Sequence, residues 1–428
     1  MQVIKYPERL EWKKICKRPA LDIYSLEVTV ANVLREIKEN SDDAVKRFTL
    51  MFDKVSIDSI EVSLEDIKQS GELLSVELKQ AINQAKLNIE KFHSRQLYEA
   101  EVTETMPGVK CWRKCVPIEK VGLYIPGGTA PLFSTLLMLA IPARLAGCKE
   151  IILCSPPNKE KKLHPAILFA AQLTGVTRIF KVGGAQAIGA MAFGTISIPQ
   201  VYKIFGPGNQ YVTCAKQLVQ KAGVAIDMPA GPSEVAIYAD ETANPAFVAA
   251  DLLSQAEHGV DSQVILVSNS FTLIEEVKTQ VYRQLEDLPR RQLAEKALEN
   301  SKMILVNTDK EAIELLNEYA PEHLILSCHN PEQLAENIVN AGSVFLGHYS
   351  PESVGDYASG TNHTLPTNGY ARAYSGVSVD SFIKKITFQQ LTKEGLVNIG
   401  PTVELMAEAE GLVGHKNAIS LRLKEIGQ

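Results

Sequence analysis

Side chains that can move protons or hold a metal near neutral pH gather in four short stretches of this chain. In DLLSQAEHG, residues 251–259, Gln255 and His258 stand three apart on a predicted helix, so both project from one face near its C-terminus. An amide oxygen and an imidazole nitrogen on one face can share a metal ion. The plainer alternative is a histidine in the last turn before Gly259, an ordinary helix ending, beside a surface glutamine. In YAPEHL, Glu322 and His323 are adjacent and offer two proton-transfer groups. Neighbours in a regular strand point to opposite faces. The two therefore reach one site only from the loop before the strand, a placement Pro321 favours; otherwise they are an exposed glutamate beside a core histidine. The stretch ESVGDYASGTNHTLPT, residues 352–367, is too polar for a core, and a polar loop of that length inside an α/β domain is often functional. It makes Asp356 and His363 ligand candidates. In AEGLVGHKNA, residues 409–418, Glu410 and His415 are five apart, which is not a same-face spacing. Gly411 and Gly414 suggest a break that brings both to one site; a surface glutamate and a helix-start histidine fit the spacing equally well.

Three glycine-rich turns, YIPGGTAPLFS (124–134), VGGAQAIGA (182–190) and GPGNQYVT (206–213), each lie between a predicted strand and a predicted helix. Backbone N–H groups at such a helix start can face an anion. None matches G-x-G-x-x-G: in the closest case the position that must be glycine is Tyr211, so a standard dinucleotide fingerprint is absent. The seven cysteines are weak candidates. Cys111 and Cys115 in CWRKC share a strand face, but no second pair completes a four-ligand zinc site. Cys154 as an aldehyde-capturing thiol is less economical than Cys154 as a structural residue.

The elements that must position these groups read as βαβ units. Strands are expected at 121–125, 150–155, 178–182 and 202–206, and again at 235–239, 263–268, 302–307, 323–327 and 343–346, with helical patterns between them. That predicts an α/β fold of two lobes of similar, incomplete Rossmann-like build with mostly parallel sheets. Residues 29–50 and 63–97 read as helical, the second opening on a capping-box-like Ser63 to Asp66. The first 24 residues lack βαβ character, and two helical pieces at 402–411 and 415–425 end the chain. At 428 residues the chain is long enough for two or more domains. A net charge of −6 gives no electrostatic footprint for nucleic acid and no polybasic patch for a membrane. The opening residues have no apolar h-region, which argues against a signal peptide. No run reaches membrane-spanning length. Scattered cysteines in odd number suggest a reducing, cytoplasmic compartment.

Taken in order, YIPGG, GPGN, DMPAGPSE, DLLSQAEHG, APEHL and SVGDYASGTNHTLPT resemble the histidinol dehydrogenase family, and the resemblance runs to the GHKNA segment at residues 414–418. It implies oxidation of L-histidinol to L-histidine through L-histidinaldehyde, with NAD and one zinc ion per subunit. It places the zinc ligands on Gln255, His258, Asp356 and His415, and the catalytic pair on Glu322 and His323. Substrate contacts fall on Ser233, Gln255, His258, His323, Asp356, His363, Glu410 and His415, and NAD contacts on Tyr124, Gln186 and Asn209. It also implies a homodimer whose C-terminal tail crosses to the partner. The expected organisation is then a helical N-terminal arm (1–24), a first lobe with the catalytic and metal loops (25–123 plus 235–376), a second lobe on the NAD side (124–234) and a dimerisation tail (377–428). The competing expectations are a zinc hydrolase with Glu322 activating water, which leaves the glycine turns unused, and a non-catalytic binding module, which would not need the paired proton-transfer residues.

Overall fold

A computed structural model describes residues 1–19, 23–97, 100–127, 131–229 and 231–427. Gly128 to Ala130, in the first glycine turn, and Ala230, in DMPAGPSE, lie outside the described residues. The chain falls into two compact units, Met1–Gln96 with Glu119–Ser381, and Leu97–Ile118 with Phe382–Gln428. In chain order the strands are β1 (Gln2–Lys5), β2 (Val102–Met106), β3 (Val109–Pro117), β4 (Lys120–Tyr124), β5 (Glu150–Ser155), β6 (Arg178–Lys181) and β7 (Lys203–Phe205). There follow β8 (Ala225–Ile226), β9 (Glu234–Ala239), β10 (Gln263–Ser268), β11 (Lys302–Leu305), β12 (His323–Ser327), β13 (Ser343–Leu346) and β14 (Ile383–Leu391).

The first unit holds two all-parallel sheets, as the alternation of β-branched runs and helices predicts. One has the order β1-β11-β10-β9-β12-β13, the other β6-β5-β4-β7-β8. Both are buried on two faces. The helices Pro245–Ala256, Phe271–Leu285 and Arg291–Glu299 cover one side of the six-stranded sheet, and Asp309–Tyr319 the other. Gln2–Lys5, in the stretch expected as an arm, is an edge strand paired along β11.

The lobe boundaries differ from the sequence expectation. The helix Ile23–Phe48 was assigned with the first lobe, but its stripe of Val30, Val33, Leu34, Ile37, Val45 and Phe48 is buried in the core of the five-stranded sheet, with Phe180, Ile188 and Val212. Apolar stripes follow the surface they fit rather than the order of the chain. That helix is broken at Ser41, at φ 52°, where the hydroxyl accepts the Ile196 N–H. The run 63–97 also divides, into Leu64–Gln69 and Val76–Ser94, capped by Ser63 and Ser75.

The second unit is a small structure of its own. β2, β3 and β14 form an antiparallel sheet in the order β14-β3-β2, and β14 pairs with β3 along nine residues. The hairpin, expected inside the first lobe, thus belongs with the C-terminal stretch. Trp112 stacks on Phe388 across that pair, rings 5.4 Å apart. The helices Lys393–Ala409 and Val413–Ile426 follow, separated at Gly411, whose φ of 73° suits glycine. No helix among the described residues is long and apolar enough to cross a membrane.

Candidate active site

The expected proton-transfer pair sits at the amino-terminal edge of the six-stranded sheet. Helix Asp309–Tyr319 ends in Ala320 at φ 53°, Pro321 and Glu322 form the short turn, and His323 opens β12. Both side chains grip one residue of the neighbouring strand. The Glu234 N–H, at the start of β9, donates to Glu322 Oε2 at 2.8 Å. The Glu234 carbonyl lies 3.1 Å from His323 Nδ1. A carbonyl can only accept, so Nδ1 carries a hydrogen and Nε2 is turned into the cavity. The side chain of Glu234 is itself locked: Arg18 donates to it twice, at 2.5 and 2.8 Å, and the Asn368 N–H donates at 2.8 Å.

His323 Nε2 has no hydrogen-bond partner and stands 3.3 Å from Asp356 Oδ1, which has none either. Burial opposes charge on His323, but the carboxylates of Glu322 and Asp356 outweigh it and push the imidazole up to about 10. Burial pushes Glu322 up to about 8, with His323 opposing. For Asp356 burial is outweighed by His323, which holds the carboxyl below its usual range.

These groups face a cavity of about 520 Å³ within the first unit, lined also by Ser233, Asn209, Gln255, His258 and His363. Gln255, at the end of helix Pro245–Ala256, is 1 % exposed and its Oε1 has no partner. His258 lies just past that helix, its Nδ1 3.4 Å from Ser233 Oγ. Its ring is open to the cavity, yet the surrounding walls desolvate it and lower its pKa, favouring the neutral, ligand-competent form. His363 is fixed at both nitrogens, by the Asp356 carbonyl at 2.7 Å and Thr135 Oγ1 at 2.9 Å.

Two buried, unsatisfied oxygens beside a neutral imidazole fit a borderline-soft cation such as zinc. The groups that could hold one are Gln255, His258 and Asp356. Among the described residues no group of three or more His, Cys, Asp or Glu is arranged to hold a metal. Glu410 and His415 lie in the second unit, on either side of the Gly411 break, and both are exposed.

The three positions expected to meet NAD lie at the carboxyl ends of the five-stranded sheet, where its strand order reverses between β4 and β7. Tyr124 ends β4, and its hydroxyl accepts the Gly184 N–H at 3.0 Å. Gln186 is fully buried in helix Gly184–Phe193. Asn209 caps helix Gln210–Gln220, accepting from the Tyr211 and Val212 N–H groups, and borders the main cavity. The turn that carries it is clamped by a buried ion pair. Lys216 donates to the Gly206 carbonyl at 2.8 Å, Asp227 accepts the Gly206 N–H at 2.8 Å, and the two side chains pair with each other. Gly206, at φ 128°, lies so close to the Tyr124 carbonyl that any Cβ would collide with it.

The family profile described as histidinol dehydrogenase matches residues 16–423. The chain belongs to the histidinol dehydrogenase family. A histidinol dehydrogenase of Bacteroides fragilis (strain YCH46) is 62% identical over 426 residues, covering 100% of both chains. One of Bacteroides thetaiotaomicron is 61% identical over the same span. The crystal structure of histidinol dehydrogenase from Elizabethkingia anophelis superposes with a TM-score of 0.98 at 56% identity, covering 100% of this chain and 99% of that one. Membership of this family makes the chain an oxidoreductase.

Several residues around the site escaped the sequence reasoning. Glu352 is 1 % exposed, takes a hydrogen bond from Ser254, and is pushed up to about 8 by burial. It lies four residues before Asp356 on the helix Glu352–Tyr357, a stretch expected to be all loop. The i, i+4 spacing would have paired them had the helix been recognised. Arg18 and Glu234 act through partners distant in sequence, and Lys216 through partners ten and eleven residues away on either side of it, so no local pattern announces them.

Proposed function

We propose that this chain is a zinc-dependent, NAD-linked dehydrogenase that converts L-histidinol to L-histidine through L-histidinaldehyde, the last step of histidine biosynthesis. The observation that carries this reading is the convergence of Glu322 and His323 on a cavity that also holds the unsatisfied oxygens of Gln255 and Asp356. The Bacteroides relatives, named histidinol dehydrogenases and matched end to end, support it.

The balance is four electrons: one alcohol, one water and two NAD give one carboxylate, two NADH and three protons. NAD, when bound at Tyr124, Gln186 and Asn209, supplies the electron acceptor for each oxidation. Zinc, when held by Gln255, His258 and Asp356 with the His415 that a second chain lends as fourth ligand, would orient the substrate's imidazole and amine and offset the Asp356 charge beside His323. With that charge offset, His323, its Nδ1 fixed on the Glu234 carbonyl, has Nε2 free to receive the substrate hydroxyl proton. Glu322, anchored by the Glu234 N–H, takes the proton of the water that hydrates the aldehyde. His323 then receives a proton again in the second oxidation. Ser233, Gln255, His258, Asp356 and His363 shape the walls around the substrate.

The assembly that goes with this chemistry is a homodimer in which each chain lends Glu410 and His415 to its partner. Supporting it, the helices that carry them expose Leu405, Met406, Val413 and Leu421, apolar side chains suited to cover. All seven cysteines are free, consistent with a reducing cytoplasm.

Separating the half-reactions tests the roles. His323→Asn should lower both oxidations by about 10²–10⁴-fold, the usual contribution of a positioned base. Glu322→Gln should spare alcohol oxidation relative to aldehyde oxidation. Equal losses in both half-reactions would contradict this division of labour.

A further inference from the structure

The nucleotide side of the fold holds a carboxylate that the scheme above leaves unused. The residues after helix Ile23–Phe48, Thr49–Asp53, wind as a π-helical turn, a form frequent at functional sites, and Lys54 follows at φ 60°. Asp53 ends this turn and is half-buried. Its donor is Gln186 Nε2 at 3.3 Å. Burial pushes its carboxyl up to about 6, and no cationic side chain among the described residues pairs with it. A carboxylate kept in a setting that penalises its charge is a candidate for a functional position.

Its neighbours point to a ligand. Gln186 is fully buried, and its Oε1 has no partner. That oxygen lies against the Gly184 backbone, where a Cβ would come within 2.6 Å of it. Gly184 in turn donates to Tyr124, whose phenol is near enough to Asp53 to feel its charge. Three polar side chains thus converge where the carboxyl ends of β4 and β6 meet the π-turn. Leu50, Met51 and Phe52, which precede Asp53 on the π-turn, are each about half exposed, so the turn offers apolar surface next to its carboxylate.

We propose that Asp53 is a further nucleotide-binding residue whose carboxylate, positioned by the Gln186 amide N–H, accepts the hydroxyl hydrogens of a nucleotide ribose and rejects a ribose 2′-phosphate, so setting a preference for NAD over NADP. This rests on the NAD reading above. The two oxygens of one carboxylate match the two donors of a vicinal diol. A carboxylate on the ribose hydroxyls is the solution other dinucleotide folds use, although here it comes from a π-turn rather than from a strand end. Bonds to a charged acceptor are the stronger kind, and the same charge opposes a phosphate.

The test is nucleotide binding by calorimetry, with NAD and NADP as the probes, on the full chain in the absence of histidinol. Asp53→Asn should raise the NAD dissociation constant by about tenfold or more, the loss expected for a hydrogen bond to a charged group. It should also narrow the gap between NAD and NADP, while zinc affinity stays as in the wild type. Asp53→Ala should behave alike; if it fails to fold, the isosteric asparagine decides. Dissociation constants for both nucleotides within twofold of wild type would overturn the role of Asp53. A wild-type chain that binds neither nucleotide would instead sink the NAD reading, and this inference with it.

Discussion

Replacing Arg18 by methionine should damage the site without touching any group that meets substrate. Arg18 holds the Glu234 carboxylate in a two-pronged fork at 2.5 and 2.8 Å, stacks on Tyr319 at 4.1 Å, and donates to the Tyr319 carbonyl at 2.8 Å. The side chains are 13% and 2% exposed, so the figure for a buried pair applies rather than that for a surface one. Removing the arginine leaves a buried carboxylate with the Asn368 N–H as its remaining donor. The expected cost is about 3–5 kcal/mol. Glu234→Gln alone leaves Arg18 its carbonyl partners and should cost less. In the double variant no buried charge is left uncompensated, so it should be more stable than Arg18→Met alone by more than about 1 kcal/mol. Guanidinium denaturation of the four proteins, followed by circular dichroism, measures the cycle. Because the Glu234 backbone orients both Glu322 and His323, Arg18→Met should lower turnover in both half-reactions and leave NAD binding unchanged. A loss below about 1 kcal/mol, or strict additivity in the double variant, would refute the reasoning.

Other consequences follow from single groups. The Asp53 carboxyl is raised from 3.8 to about 6 by burial, so the folded state holds its proton more tightly than the unfolded one. Ionising it costs stability, and Asp53→Asn should melt higher than wild type at pH above about 6, with the advantage fading toward about pH 4; equal melting at neutral pH would contradict this. Gln255→Ala should weaken zinc binding at least about tenfold in competition with a chromogenic chelator, while the fold is kept; unchanged affinity would remove Gln255 from the ligand set. Lys216→Met should loosen the turn at Gly206 and weaken NAD binding more than zinc binding. Equal effects on both would show that the clamp acts on the whole fold.

The parts of this fold that were legible in the sequence are those with local causes. β5, β10 and β12 fall on the residues expected, because a buried parallel strand is a short apolar run set between turn-formers and helices, and the edge strand β13 does so too. The candidate proton-transfer pair stands out as a dipeptide after a proline. What the dipeptide could not reveal is that Glu322 and His323 are aimed by the two backbone atoms of Glu234, on a strand far away in sequence. Long-range partners were invisible in the same way. Arg18 lay in a stretch expected as an arm, and nothing near it predicts a fork on Glu234. Helix Ile23–Phe48 has a clear apolar stripe, but a stripe does not state which sheet it will cover. The hairpin Val102–Pro117 reads as two ordinary strands until β14, from the far end of the chain, completes its sheet.

The central claim is a four-electron oxidation that needs both a metal and two nucleotides, and counting product tests it most directly. Purified protein is given a limiting, known amount of L-histidinol with excess NAD, and NADH is followed to completion before and after treatment with a chelator. The account predicts two NADH per histidinol, loss of turnover with the chelator and recovery with zinc. One NADH per histidinol, or turnover indifferent to the chelator, would contradict it.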